Sequence, residues 1–247
     1  MLRSLNKILG YTIRATDGEI GSAHDSYFDD GEWTVRYLVV DTGGWLSGRR
    51  VLIWPGEVGR ADWKHRLLTV SLTREKVEHS PGVESDLPVS RQEEEVLGHY
   101  YDWVPYWGGA CGIMGTPVVA LADTRTLAKG TEEDPSGDPH LRSIKEVTGY
   151  HILASDGEIG HVGDFIVDTE KWVLRYLLID TRNWLPGRKV LVAPNWVSRV
   201  DWTDRLVHLD LNRQQVKDSP EFDPSLPLNR KYEVRLYDYY GRPGYWF

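Results

Sequence analysis

Cysteine is almost missing from this sequence: Cys111 is the single one among 247 residues. One cysteine excludes an intramolecular disulfide and any metal site built from several thiolates, and it favours a reducing, cytoplasmic compartment. Long apolar runs are missing too. No stretch approaches the roughly 20 apolar residues of a membrane span, and the opening MLRSLNKILG lacks a signal-peptide core. We therefore expect a soluble, cytoplasmic protein with no integral membrane segment.

Positive charge is scarce. The 29 Lys and Arg residues against 37 Asp and Glu residues leave a net charge of −8 at pH 7. A protein that follows a phosphate backbone needs a basic face, because its affinity comes largely from Lys and Arg contacts. The composition therefore argues against nucleic acid as a partner.

The motifs of common catalytic and metal sites are missing as well. The eight histidines form no His-x-x-His or His-Glu pair, no serine lies in a Gly-x-Ser-x-Gly sequence, and Cys111 has no basic neighbour. We expect no catalytic residue, no metal ligand and no cofactor. The chain is predicted not to be an enzyme.

What the sequence does contain is a long internal repeat. Residues 2–107 align with residues 141–246 at a constant offset of 139 without a gap, and about 47 of the 106 aligned positions are identical. A match of this length indicates two copies of a whole domain rather than small solenoid units. We name residues 1–107 copy one and residues 141–247 copy two. Residues 108–140, rich in Gly, Pro and acidic residues, are predicted to be a flexible linker.

Each copy is predicted to be mainly β. In copy one the β-rich runs are separated by glycine turns and comprise Tyr11–Ala15, Ile20–Phe28, Thr34–Asp41, Arg50–Trp54 and Leu67–Leu72. Short strands at this spacing favour a small closed barrel, which leaves no free sheet edge. Helical segments are predicted at Thr73–His79 and from Ser90 to about Tyr101, and an aromatic tail follows.

The segment DGEIG occurs in both copies and invites a chemical interpretation. A calcium loop of the EF-hand type needs more oxygen ligands than this segment supplies, and a nucleotide fingerprint needs a third glycine before a helix. We predict a structural hairpin turn, with cation or phosphate contact as the weaker alternative. The turn residues are Asp17, Gly18 and Gly21, and Asp156, Gly157 and Gly160. Gly21 would allow a close backbone approach or a bulge.

The order of motifs resembles the PRC-barrel domain. The resemblance rests on DGEIG, then RYLVVDT (36–42), then the Trp-Leu-x-Gly-Arg pattern of 45–49, and it covers roughly 4–80 and 143–219. Such barrels are found in the cytoplasmic part of the photosynthetic reaction-centre H subunit and in the ribosome maturation factor family. The resemblance implies two PRC-barrel-like small β-barrels. It implies no catalytic residue, since its motifs are turns and strands.

A possible groove is formed by an acid, an indole and a guanidinium that occur in both copies. These residues are Asp41, Trp45 and Arg49, and Asp180, Trp184 and Arg188. They would line a ligand or partner groove. Alternatively, the aspartate starts a turn and the arginine stem covers the tryptophan by a cation–π contact.

The aromatic tails are the main candidate interface, because tyrosine and tryptophan dominate binding hot spots. The candidate residues are Tyr100, Tyr101, Trp103, Tyr106 and Trp107 in copy one, and Tyr239, Tyr240, Tyr245 and Trp246 in copy two. Packing within the chain or in a homodimer, docking of another protein, and contact with a membrane surface remain open.

The sequence therefore predicts a non-enzymatic protein for protein–protein interaction or scaffolding, with the two copies related by a pseudo-two-fold axis or forming a homodimer face. The resemblance adds two alternatives, an RNA-linked adaptor in ribosome maturation and a peripheral component of a photosynthetic or electron-transfer complex. Small-ligand or ion sensing between the copies is a further alternative. An RNA-linked role would require a basic strip near Arg188 and Lys189.

Overall fold

A computed structural model describes residues 1–81, 91–104, 141–181 and 188–246 of the chain. The predicted linker at 108–140 lies outside these described residues. Within them no helix is long and apolar enough to cross a membrane.

Copy one is built from short strands around two longer central ones. Its elements are β1 (Leu2–Ser4), α1 (Leu5–Ile8), β2 (Thr12–Ala15), β3 (Gly18–Asp29), β4 (Thr34–Asp41), β5 (Arg50–Ile53), β6 (Val58–Asp62), β7 (Leu67–Val70), α2 (Arg74–Glu78) and α3 (Arg91–Tyr101). In β4 the side chains first alternate between partly and fully buried and are then buried on both faces from Tyr37 to Val40. This change indicates that the strand passes from an edge into the centre of the protein.

Copy two repeats the order of elements. Its elements are β8 (Leu141–Ser143), α4 (Ile144–Val147), β9 (His151–Ala154), β10 (Gly157–Asp168), β11 (Val173–Asp180), β12 (Lys189–Val192), β13 (Val197–Asp201), β14 (Leu206–Leu209), α5 (Arg213–Asp218) and α6 (Arg230–Tyr240).

The described strands form one mixed sheet that runs through both copies. Along it the strands lie in the order β13, β14, β9, β10, β11, β4, β3, β2, β7, β6, with the other four paired beside this path. The pairs β2 with β7 and β9 with β14 are parallel. The mainly-β prediction is confirmed. Closure of each copy into a separate barrel stays a prediction, since the pairings describe a sheet shared by the copies.

The copies exchange their first strands. β1 of copy one pairs with β10 of copy two, and β8 of copy two pairs with β3 of copy one. At the centre β4 meets β11, where the Val35 N–H donates to Trp172 O and the Leu174 N–H to Trp33 O, both at 2.8 Å. Each contact has its mirror contact at the offset of 139 residues. The copies are therefore related by a pseudo-two-fold axis, and each holds a strand of the other.

A buried aspartate fixes each exchanged strand. Asp164 accepts hydrogen bonds from Ser4 Oγ at 2.5 Å and from the Asn6 N–H at 3.0 Å. In the mirror contact Asp25 accepts from Ser143 Oγ at 2.5 Å and from the Lys145 N–H at 3.2 Å. We name these two sites the aspartate clamps. Each clamp accepts one N–H from the first turn of the short helix that follows the exchanged strand, that of Asn6 or of Lys145.

The clamps lie next to an apolar centre shared by the copies. Phe28 and Phe165, both fully buried, pack with ring centroids 5.8 Å apart across the junction. Burial raises the pKa of Asp164, although Ser4 Oγ and the N–H groups of Asn6 and Phe165 donate to its carboxylate and oppose the shift. The junction is therefore a continuation of the protein core.

Candidate functional site

Each DGEIG segment begins in a hairpin turn, at Asp17 and Asp156, and these two carboxylates cap helices. Asp17 Oδ1 accepts the Arg74 N–H of α2 at 2.8 Å, and Asp156 Oδ1 accepts the Arg213 N–H of α5 at 2.7 Å. A carboxylate at a helix start satisfies an N–H that has no partner inside the helix. Among the described residues no group of three or more His, Cys, Asp or Glu side chains forms a metal site.

Replacement of Asp17 by alanine should lower the free energy of unfolding by about 1 kcal/mol, because the first N–H of α2 loses its acceptor. Urea unfolding followed by circular dichroism measures this change. Glu19→Gln is the matched control, since Glu19 makes an exposed ion pair with Arg14 at 3.0 Å, and it should change the value by less than about 0.5 kcal/mol. A thermal shift with Ca²⁺ that Asp17→Ala abolishes would instead support the ion-sensing alternative.

In copy one the candidate groove residues serve the fold. Asp41 Oδ1 accepts the Gly43 N–H at 2.8 Å, at the turn that follows β4. Arg49 Nη2 donates to the carbonyl oxygens of Val77 at 3.1 Å and Glu78 at 3.0 Å, at the end of α2. The guanidinium that covers Trp45 is that of Arg74, 4.4 Å from the ring. The expected cation–π partner, Arg49, is thus a helix cap.

In copy two the corresponding arginine has the same role. Arg188 Nη2 donates to the carbonyl oxygen of Ser219, directly after α5. Trp184 lies outside the described residues. Asp180 is 6% exposed and borders a cavity of 350 Å³ together with His161 and Lys189. The guanidinium of Arg188 is therefore directed into the fold, whereas an RNA-linked role would require it on a basic strip.

The aromatic tail of copy two folds back on its own copy. Tyr245 lies under the guanidinium of Arg175 at 4.1 Å, and Trp246 packs on Tyr237 at 5.0 Å. Tyr240 packs on the fully buried Trp196 at 4.6 Å. Tyr239 is 40% exposed, although its hydroxyl donates to Gln215 O. Most of this tail is engaged within the chain.

A buried glutamate organises the tail of copy two. Glu233 is 2% exposed, and its Oε1 accepts from the hydroxyls of Tyr176 and Tyr245, each at 2.8 Å. Arg230 forms an ion pair with its Oε2 at 3.1 Å. Burial, together with the adjacent carboxylate, raises the pKa of Tyr176 and raises that of Tyr245 to about 12. Both phenols are thus neutral hydrogen-bond donors, so this cluster supports the fold.

In copy one the tail is arranged around Trp103. Its indole stacks on Tyr101 with ring centroids 4.2 Å apart and planes at 11°, and its Nε1 donates to Glu57 Oε1 at 2.8 Å. The Tyr100 hydroxyl donates to Lys76 O at 2.8 Å. Tyr106 and Trp107 lie outside the described residues. Burial raises the pKa of Tyr101 to about 12.

In both copies an indole packs on the equivalent tyrosine, Tyr101 or Tyr240, but the tryptophan comes from a different position in the chain. Trp196 of copy two occupies the position of Glu57 and packs on Tyr240, the counterpart of Tyr101. At the position of Trp103 copy two has Arg242, which pairs with Asp210 at 2.8 Å. The differences at these two positions keep an indole packed on the tyrosine, but they place Arg242 where copy one has Trp103.

Sequence reasoning missed an exposed tryptophan in copy one. Trp54 is 44% exposed, and its ring centroid lies 6.1 Å from that of Trp103. Val104, which follows Trp103 in the chain, is 73% exposed. The Trp54 ring lies over Gly56, where a Cβ would come within 2.3 Å of ring atoms. We name Trp54, Trp103 and Val104 the tryptophan surface.

The described residues of copy two at the corresponding positions form no tryptophan surface. The position of Trp54 holds Ala193, which is 1% exposed, and that of Gly56 holds Asn195. Arg242 and Pro243 replace Trp103 and Val104. The sequence holds a signal for this surface, because Trp54 and Gly56 of copy one are both replaced in copy two, by Ala193 and Asn195.

Comparison with known families identifies part of copy one. Residues 2–65 match the family model of the PRC-barrel domain. The match runs from β1 to the turn after β6. No curated protein matches the chain. Assignment of copy two to the same family rests on the internal repeat and stays a prediction, as do the resemblances to the reaction-centre H subunit and to ribosome maturation factors.

Proposed function

We propose that the chain is a cytoplasmic, non-enzymatic protein-binding scaffold that docks a partner protein on the tryptophan surface. The observation that carries the proposal is Trp54, a large ring left 44% exposed beside Trp103. Contiguous exposed apolar patches mark interaction sites, and tryptophan is strongly enriched in hot spots.

Several features support a binding role over catalysis. The polar side chains kept in both copies act as caps, clamps and turn formers: Asp17 caps a helix, Asp25 holds an exchanged strand, and Arg49 binds carbonyl groups. The PRC-barrel match in copy one is compatible with a scaffold. Two pseudo-symmetric copies, of which one carries the surface, would give the scaffold a docking side and a structural side.

Trp54→Ala tests the proposal, and copy two shows that alanine suits this position. We expect unchanged thermal unfolding and a roughly 30-fold loss of affinity for the partner, the usual effect of removing a hot-spot tryptophan. The measurement is affinity capture from the native cell with quantitative mass spectrometry, followed by titration of the partner captured.

Val234→Ala is the matched control, because Val234 is an exposed apolar residue of copy two. It should leave capture unchanged. Capture of the same proteins in the same amounts by the Trp54→Ala variant would reject the tryptophan surface as the docking site. Light scattering of the purified chain tests the homodimer alternative, in which wild-type protein would show twice the monomer mass and Trp54→Ala would show the monomer mass.

A further inference from the structure

A cavity of 330 Å³ lies where the first strand of copy one meets copy two. This volume falls within the range of about 300–1,000 Å³ that is usual for small-molecule sites. The apolar part of its lining includes Leu2, Ile166, Leu178, Phe222, Leu226 and Leu228. Ile166 and Leu178 are buried strand residues, and Phe222 is 7% exposed. The cavity therefore offers an apolar interior to an aliphatic or aromatic group.

Arg3 borders this cavity without an acidic partner among the described residues. Its guanidinium stacks on Trp63 at 4.4 Å, and Nη2 lies 3.0 Å from Met1 Sδ, another lining residue. A thioether is a weak acceptor. The Nε of Arg3 is buried and has no acceptor in the described structure. A guanidinium without an acidic partner beside an apolar cavity offers a binding point for an anion.

The pseudo-symmetric arginine shows what Arg3 lacks. Arg142 stacks on Trp202 at 4.2 Å in the same manner, but its Nε also pairs with Asp30 Oδ2 at 3.2 Å. The residue at the position of Asp30 in copy two is Thr169. Thr169 Oγ1 donates to Met1 O and cannot neutralise a guanidinium. The guanidinium of Arg142 is thus neutralised by an aspartate, whereas that of Arg3 is not.

The other charged side chains that line the cavity are a second cation, Lys7, and the carboxylate of Asp164. Lys7 also lines it, donates to Pro224 O at 2.8 Å, and lies near Asp164 and Asp223. Its counterpart at the other junction is Glu146. The Asp164 carboxylate is occupied by Ser4 Oγ and by the Asn6 and Phe165 N–H groups. The amino group of Met1 is held by Asp168 and Glu170.

We propose that this junction cavity binds a monocarboxylate with a medium-length aliphatic chain. The carboxylate pairs with the guanidinium of Arg3, whose fork of N–H groups suits a two-oxygen anion. The hydrocarbon chain occupies the apolar interior. Because residues of both copies line the cavity, the bound ligand stabilises the association of the copies.

Titration calorimetry and thermal unfolding with octanoate test the proposal, on the full chain with any tag at its C-terminal end. Octanoate should bind saturably and raise Tm. Octylammonium, with the same chain and the opposite charge, should bind roughly tenfold more weakly or not at all. Failure of octanoate to bind, or equal binding of both amphiphiles, would overturn the assignment.

Three variants locate the anion. Arg3→Gln should weaken octanoate binding roughly tenfold, through loss of the charge-assisted hydrogen bonds. Arg142→Gln, the matched control at the other junction, should leave it unchanged. Thr169→Asp supplies the acid that Asp30 provides to Arg142, so it should abolish octanoate binding. Equal loss in the Arg3→Gln and Arg142→Gln variants, or full binding in Thr169→Asp, would contradict the proposal.

Discussion

Replacement of Gly21 by alanine is expected to destabilise the protein by about 4 kcal/mol, through backbone strain and overpacking. Gly21 has φ of +144°, a region that side-chain-bearing residues rarely adopt, and an added Cβ would lie 2.1 Å from Asp41 O. Asp41 ends β4, the strand that pairs with β3. The neighbouring backbone would have to shift, because a carbonyl oxygen in a paired strand cannot rotate away.

Urea unfolding of Gly21→Ala measures this loss, and Gly160→Ala should behave alike, since its Cβ would lie 2.2 Å from Asp180 O. Gly44→Ala is the matched control. Gly44 lies in the connection after β4 and has no heavy atom within 4 Å of the Cβ position. It should change the free energy of unfolding by less than about 0.5 kcal/mol. A loss below about 1 kcal/mol in Gly21→Ala would show that the strands separate easily at this point.

Gly21 also shows what the sequence could predict. The alternation of Tyr11–Ala15 followed by Asp17 and Gly18 predicts a hairpin turn at Asp17-Gly18, with Ile20 pointing inward. In the structure the turn is one residue earlier, at Thr16 and Asp17, because Gly18 already pairs with Ala15. The structure has Ile20 fully buried, opposite a register shift between Ile13 and Arg14. Glycine identity and strand pattern are local signals. Such local signals are enough to predict, at Gly21, either a close backbone approach or a bulge, without any knowledge of tertiary structure.

The exchange of first strands could not be predicted in the same way. β1 has only three residues, and its sequence is identical to that of β8. An ungapped repeat says that the two strands have equivalent partners, but it does not say whether each partner lies in the same copy or in the other. That choice depends on packing between distant segments. The sequence gives one hint, since Asp25 and Asp164 are identical although both of their neighbours differ between the copies.

The role of the aromatic tails is also hard to predict from sequence, because it depends on contacts between distant segments. Residue type alone marks Tyr245 and Trp246 as interface candidates, but the partners that hold them within the chain, Arg175 and Glu233, come from other elements. In copy one the informative position was Trp54, far from the tail in sequence. The proposed docking surface therefore depends on one tail residue, Trp103, and on a strand end that brings Trp54 beside it.

Removal of an aspartate clamp is the second large effect that we expect. Asp164→Ala should lower the free energy of unfolding by about 3 kcal/mol, because Ser4 Oγ and the N–H groups of Asn6 and Phe165 lose a buried acceptor together. The loss should be local to the junction. Hydrogen exchange should therefore quicken at Leu2–Ser4 and along β10 while Leu141–Ser143 keeps its protection.

Asp25→Ala should give the mirror result, with faster exchange at Leu141–Ser143 and along β3, because Asp25 accepts from Ser143 Oγ and the Lys145 N–H. Asp223→Ala is the control, since Asp223 accepts the Ser225 N–H at an exposed turn and should cost no more than about 1 kcal/mol. If Asp164→Ala quickened exchange equally at both first strands, the clamps would not act separately. The two junctions would then open as one cooperative unit, and the reciprocal exchange of strands would be a single interface rather than two.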